Sequence, residues 1–264
     1  MITLSTPTAS VHIDPVAGGR LTSMVVEDLE LLVGGADSAM DWGCYVMAPF
    51  AGRVRNGRFA FKGREHQLPR NLGPHAIHGT VFARPWTVVE AEPRRALLTC
   101  DLGPDWPFAG RVAHEVVLDD SSLSLRLEVA ADDEPFPASC GWHPWWRRRL
   151  RRGAPLEVDV DAESMWVRGP DGVPTGELVS PVPPGPWDDC LTDLRSAPVL
   201  RWEGALEVVV DTSCDDLVVF DQPTHAICVE PQTGPPDALR LTPVLVEPGW
   251  PLVAEAEFRW TVLP

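Results

Sequence analysis

Positive charge is scarce in this sequence: 22 Lys and Arg stand against 38 Asp and Glu, for a formal net charge of −16. Nucleic acid is a polyanion whose binding needs Lys and Arg at the phosphates, so this balance argues against it as a partner. The same reasoning argues against an anionic membrane surface. No apolar run reaches the length of a membrane span. The opening stretch, MITLSTPTASVHIDP, has neither the basic start nor the apolar segment of a secretory signal, so the expected location is the cytoplasm. The six cysteines, at 44, 100, 140, 190, 214 and 228, form no CxxC pair, which excludes zinc-finger spacing and leaves them expected as free thiols. There is no GxxxxGK[ST], no GxGxxG and no GxSxG, so phosphate-cradling loops, dinucleotide folds and nucleophile elbows are not indicated. Helical periodicity is nearly missing as well.

What the chain has instead is alternation. Leu123, Leu125, Leu127 and Val129 fall on every second position. So do Leu156, Val158 and Val160; Leu206, Val208 and Val210; and Leu252, Ala254, Ala256, Phe258, Trp260 and Val262. Successive side chains of a strand point to opposite faces, so a period of two predicts half-buried strands. The 28 prolines and 21 glycines cluster between these runs, in GPDWP, DDEPFP, GPDGVP and SPVPPGP, where turns are expected. With 44% apolar residues a sizeable core is available. These features predict an all-β chain, a large antiparallel β-sandwich forming a single domain over residues 1–264.

Three clusters place titratable residues in turn-like or strand-end contexts. PHAIHG carries His75 and His78. CGWHPWWRR carries His143 beside Trp142, Trp145 and Trp146. ICVEPQTGPPDAL carries Glu230 at the end of an apolar run. A carboxylate at the end of a buried strand is partly desolvated, which raises its pKa toward the range of a useful general base; a glutamate at a strand end also serves simply to face solvent or cap a turn. A histidine among tryptophans fits a sugar pocket, where rings stack on the pyranose and polar groups meet its hydroxyls, and equally fits a satisfied core patch. His75 and His78 have HxxH spacing but lie in an apparent loop, so no metal is expected. Arg147, Arg148, Arg149, Arg151 and Arg152 read first as a solvated basic block, and second as an anion contact in which Arg147 reaches the pocket.

Together these segments resemble the aldose 1-epimerase (galactose mutarotase) family. VEPQTGPPDAL is similar to the segment carrying the family's catalytic base, GWHPWW to the His-Pro-aromatic segment carrying its acid, and HAIHG to an Asn-x-x-His-Gly segment whose second histidine contacts the sugar. PFAGRVRNGRFAFKGREHQLP resembles an Asn-Arg-Ile segment whose arginine binds sugar hydroxyls, and VPTGEL and PWDDCLTDL are further landmarks. The resemblance spans residues 43–239 in the family's order. It implies a twisted β-sandwich with the sugar on a concave face, Glu230 as base, His143 as acid, and Arg53, His78 and Asp188 as sugar ligands; His75, Trp142, Trp145 and Arg147 are further candidate contacts that the resemblance leaves open. It implies interconversion of the α and β anomers of a free aldose without cofactor or metal. The alternatives are a mutarotase for a phosphorylated or sulfonated sugar and a non-catalytic carbohydrate-binding protein. The sequence departs from the family pattern at Gly52 and His75, where the family has asparagine, and near Val218, where some members carry a glutamine. These changes bear on which sugar binds.

Overall fold

The computed structural model describes residues 1–264. Two antiparallel sheets dominate it, one of eleven strands and one of eight. The alternating segments form the second sheet. Ser122–Ala131 pairs with Leu252–Val262 so that Leu123 faces Phe258, Leu125 faces Ala256 and Leu127 faces Ala254. Leu206–Thr212 continues the sheet on the other side, with Val208 opposite Trp260 and Val210 opposite Phe258. All these inward residues are buried. Fully burying a Leu, Val or Phe side chain is worth about 1.5–3 kcal/mol, and this row of them fixes the register. The alternation weakens at the edges: Val262 is exposed, and Val158 sits in the three-residue edge strand Glu157–Asp159, only partly covered. The one α-helix is the single turn Ala238–Leu241, and no helix is long and apolar enough to cross a membrane.

The eleven-stranded sheet positions the site. Its central order is Cys44–Met47, Gly141–Arg147, Ala226–Gln232, Asp216–Phe220, Asp188–Leu194, so segments far apart in sequence lie side by side. One face of this sheet packs on the eight-stranded sheet, forming a core of 58 buried residues. The opposite face carries a separate apolar cluster of Tyr45, Met47, Ala51, Phe82, Trp145, Ala226 and Cys228. Parity along Gly141–Arg147 divides its residues between the two faces. Trp142 and Trp146 enter the main core, where Trp142 Nε1 donates to His114 Nε2 at 3.2 Å and Trp146 meets Phe258 edge-on. His143 and Trp145 stand on the other side, stacked on each other with ring centroids 5.4 Å apart.

Candidate active site

On that outer face the strands Gly141–Arg147 and Ala226–Gln232 run antiparallel, with Gly141 opposite Gln232 and Trp145 opposite Cys228. Counting between these anchors places His143 opposite Glu230. The two side chains meet there: His143 Nε2 lies 3.1 Å from Glu230 Oε1. Both are almost completely buried, at 5% and 2% exposure. The second carboxylate oxygen, Oε2, accepts a hydrogen bond from Gln232 Nε2 at 3.1 Å, which fixes the carboxylate plane. On its other side His143 is register partner to Tyr45, whose ring stacks on the imidazole at 4.7 Å. Tyr45 rests in turn against the buried Arg20, whose guanidinium lies 5.2 Å from the phenol ring and donates to the carbonyls of Ala17, Trp42 and Phe82.

His78 and Arg53 arrive on a two-stranded ribbon in which Arg53 pairs with Ile77. His78 adopts φ 62°, a left-handed conformation unusual for a non-glycine residue. The next residue must be glycine: a Cβ on Gly79 would lie 2.0 Å from the Ala48 carbonyl oxygen. The turn sets the His78 ring edge-on to His143, centroids 5.0 Å apart. Arg53 Nη2 approaches Asp188 Oδ2 at 3.7 Å, and Asp188 is held more closely by Arg168 at 2.8 Å.

Tyr45, Arg53, His78, His143, Trp145, Asp188 and Glu230 line one cavity of about 200 Å³, together with Met40, Asp41, Val218, Phe220 and Gln232. That is below the roughly 300–1,000 Å³ of drug-sized sites and suits a small molecule. A larger groove of about 420 Å³ on the second sheet, beside Glu115, Arg126, Asp211 and Glu255, is open and lined by charged residues such as Arg126, already ion-paired to Glu128 and Glu255. It contains no buried acid or base. The inner cavity has several. Seven buried side-chain polar atoms in the protein lack a hydrogen-bond partner, and four of them, on Tyr45, His78, His143 and Gln232, belong to residues of this cavity wall. Unsatisfied buried polar groups are rare and costly, so their concentration here marks a site built for a ligand rich in hydrogen-bonding groups.

Burial governs the electrostatics. It pushes His143 down to about 3 and His78 well below the ordinary imidazole value, and raises Glu230 well above the usual carboxylate range, with Asp188 adding to the rise. Burial also raises Asp188, while Arg53 and Arg168 pull it back. Burial thus disfavours the charged form of each partner and favours a neutral imidazole against a protonated carboxyl. A metal is the other species this face could hold, since the ligand atoms of His143, Cys228 and Glu230 lie within 4.8 Å of one another.

Three sequence expectations are corrected by placement. Trp142 does not reach the cavity; strand parity sends it to the core on the opposite face from His143. His75 is buried beside the cavity with both ring nitrogens engaged, Nδ1 accepting from the Asn56 amide at 3.0 Å and Nε2 donating to the Asp171 carbonyl at 3.2 Å. Arg147 shares the face of His143 but stands four residues along the strand, about 13 Å away at strand rise, and donates to the Leu32 carbonyl at 2.7 Å. The rest of the arginine block also stays outside: Arg148 is tied to Pro223 and Asp221, Arg152 to Gly204, and Arg151 makes a solvent-exposed contact with Asp28. Glu230, His143, Arg53, His78, Asp188 and Trp145 all line the cavity. Tyr45, Gln232 and Arg20 had not been singled out from sequence. Gln232 had a signal, two residues from Glu230 on the same strand face. Tyr45 and Arg20 gain their roles through pairing and packing across the chain.

A family model described as aldose 1-epimerase matches residues 1–247. The Escherichia coli K12 protein YphB is 30% identical over 134 residues, 49% of this chain and 46% of that protein, so the match spans about half the length of the curated relative. Among solved structures, an aldose epimerase homologue from C. elegans superposes with a TM-score of 0.87 at 17% identity, covering 100% of this chain and 99% of the other. A galactose 1-epimerase from Lactobacillus acidophilus NCFM gives 0.81 at 16% identity, with 99% and 94% covered. At these identities the structural likeness establishes the fold.

Proposed function

This chain belongs to the aldose 1-epimerase family, and on that premise we propose that it is a mutarotase, interconverting the α and β anomers of a free aldose by acid–base opening and closure of the ring. The observation that carries the reading is the buried His143–Glu230 pair, 3.1 Å apart on the cavity wall. Ring opening needs one proton removed from the C1 hydroxyl and one delivered to the ring oxygen, two atoms bonded to the same carbon. A base and an acid in mutual contact match that demand.

In the assigned roles Glu230 takes the hydroxyl proton and His143, as imidazolium, protonates the ring oxygen. The ion-pair form needed at the start differs from the neutral form only in which partner holds the shared proton, so it is reached by a shift along the existing hydrogen bond. The Coulombic pull of Arg53 and the hydrogen bond from Gln232 both favour the carboxylate. After opening, Glu230 is protonated and His143 neutral, the distribution burial prefers. Rotation about C1–C2 and closure reverse the transfers. The net charge of the pair never changes, which avoids the cost of creating uncompensated charge in a buried site. Each positioned acid or base contributes about 10²–10⁴-fold. Arg53, His78 and Asp188 bind sugar hydroxyls, and Trp145 offers an apolar ring at the wall.

The cavity favours a neutral aldose. Arg53 is its one cationic wall residue and already faces Asp188, while Asp41, Asp188 and Glu230 supply acid groups. NMR exchange spectroscopy across a panel of aldoses tests the proposal. Faster anomer exchange with protein than without supports it; saturable sugar binding with no gain in exchange would make the chain a carbohydrate-binding protein instead.

A further inference from the structure

Cys228 is a buried thiol that ring opening does not use. It precedes Glu230 by two residues on Ala226–Gln232, so both point to the cavity face, and it is fully buried against Tyr45 and Trp145 in the outer-face cluster. Its sulfur, a His143 ring nitrogen and a Glu230 oxygen lie within 4.8 Å of one another. We propose that His143, Cys228 and Glu230 form a three-ligand site for a thiophilic divalent cation, zinc above all, and that its occupancy shuts the acid–base pair off.

The chemistry of the donors supports this. Imidazole, thiolate and carboxylate are the ligand types of zinc, at about 2.0–2.3 Å, and a tetrahedral arrangement separates them by about 3.4–3.6 Å. His143 Nε2 and Glu230 Oε1 already stand 3.1 Å apart, so a small side-chain rotation closes the set. Thiolate and carboxylate together balance the 2+ charge, which a buried ion requires. The sulfur selects zinc or cobalt(II) over magnesium or calcium. Gln232 holds Oε2, leaving Oε1 as the oriented donor, the kind of outer contact that presets a metal ligand. His143 and Glu230 line the cavity, which gives the cation an entry path and leaves the fourth position open to water or a sugar oxygen.

A cation at this site occupies the nitrogen and oxygen that would exchange protons with the hemiacetal, so anomer exchange stops while the fold is retained. The inhibition rests on the mutarotase reading; the binding does not. The probe is cobalt(II), followed by absorption spectroscopy on the full chain and on Cys228→Ala, with Cys228→Ser as a second variant that keeps more of the side-chain volume. The expected result is one equivalent of cobalt with an intense thiolate charge-transfer band, displaced by zinc and lost in both variants. Zinc should abolish exchange in the native chain, and the folded Cys228 variants should keep basal exchange while needing at least tenfold more zinc. No thiolate band, a band that persists without Cys228, or equal zinc sensitivity in the variants would overturn the site. If the metal-free chain shows no exchange at all, the mutarotase reading fails and the cobalt band alone decides this one.

Discussion

His143 and Glu230 are cross-strand neighbours, 3.1 Å apart in a site nearly closed to solvent. Two limits follow for activity. On the proposed mechanism the pair fails when both partners are protonated, which for His143 is set near pH 3, and when both are deprotonated, which for Glu230 lies well above the usual carboxylate range. The pH profile of kcat/KM, which reports the free enzyme, should therefore be a bell with a broad top and no acid limb near 6.5. A limb at the ordinary histidine value would mean that His143 titrates as a solvated imidazole.

Two other buried histidines tie stability to pH. Burial holds His114 down at about 3, and His78 well below the ordinary 6.5. Both stay neutral in the folded chain while the unfolded chain protonates them. Their contribution is thus present above pH 6.5 and lost as pH falls toward their folded values. Each costs about 1.4 kcal/mol per pH unit in that window. Replacing His114 by Gln keeps an acceptor for Trp142 and should flatten the pH slope of unfolding free energy by about 1.4 kcal/mol per unit. Denaturant titrations between pH 6 and 4 measure this, and an unchanged slope would show that His114 is not buried neutral.

The adjacent tryptophans should separate cleanly. Trp142 is core and Trp145 is cavity wall. Trp142→Ala should cost about 3–5 kcal/mol of stability. Trp145→Ala should raise KM for the sugar several-fold, with a smaller loss of stability. Thermal melts and exchange kinetics on both variants check the assignment, and a KM effect from Trp142 in a still-folded variant would count against it.

Arginines divide in the same way. Arg53→Ala should raise KM about tenfold or more, the order expected for a lost charge-assisted hydrogen bond. Arg147→Ala should leave KM unchanged for neutral and phosphorylated sugars alike, because its guanidinium is committed to the Leu32 carbonyl. Steady-state exchange rates with glucose and glucose 6-phosphate make the comparison, and a phosphate-specific loss in Arg147→Ala would restore the anionic-sugar reading.

The fold was legible because the apolar alternation is long and faces one core, as in Leu123–Val129 against Leu252–Phe258. The cavity was legible in part because three of its lining residues, His143, Glu230 and Arg53, sit in compact motifs. Trp142 was misplaced although the signal was present: if His143 faces the cavity, a period of two puts Trp142 and Trp146 on the other side. The same rule puts Cys228 beside Glu230. The engagement of His75 with Asn56 and Asp171, the clasp of Arg168 on Asp188, and the support of Tyr45 by Arg20 depend on contacts between distant segments, which no local pattern encodes.

The central claim is that His143 and Glu230 act as one unit on the hemiacetal. Anomer exchange measured by NMR on Glu230→Gln, His143→Asn and the double variant, each verified as folded, tests it most directly. Each single change should lower exchange by about 10²-fold or more, and the double variant should be no worse than the poorer single, since groups acting together are not additive. Native exchange in either folded single variant, or losses that simply multiply in the double, would contradict it.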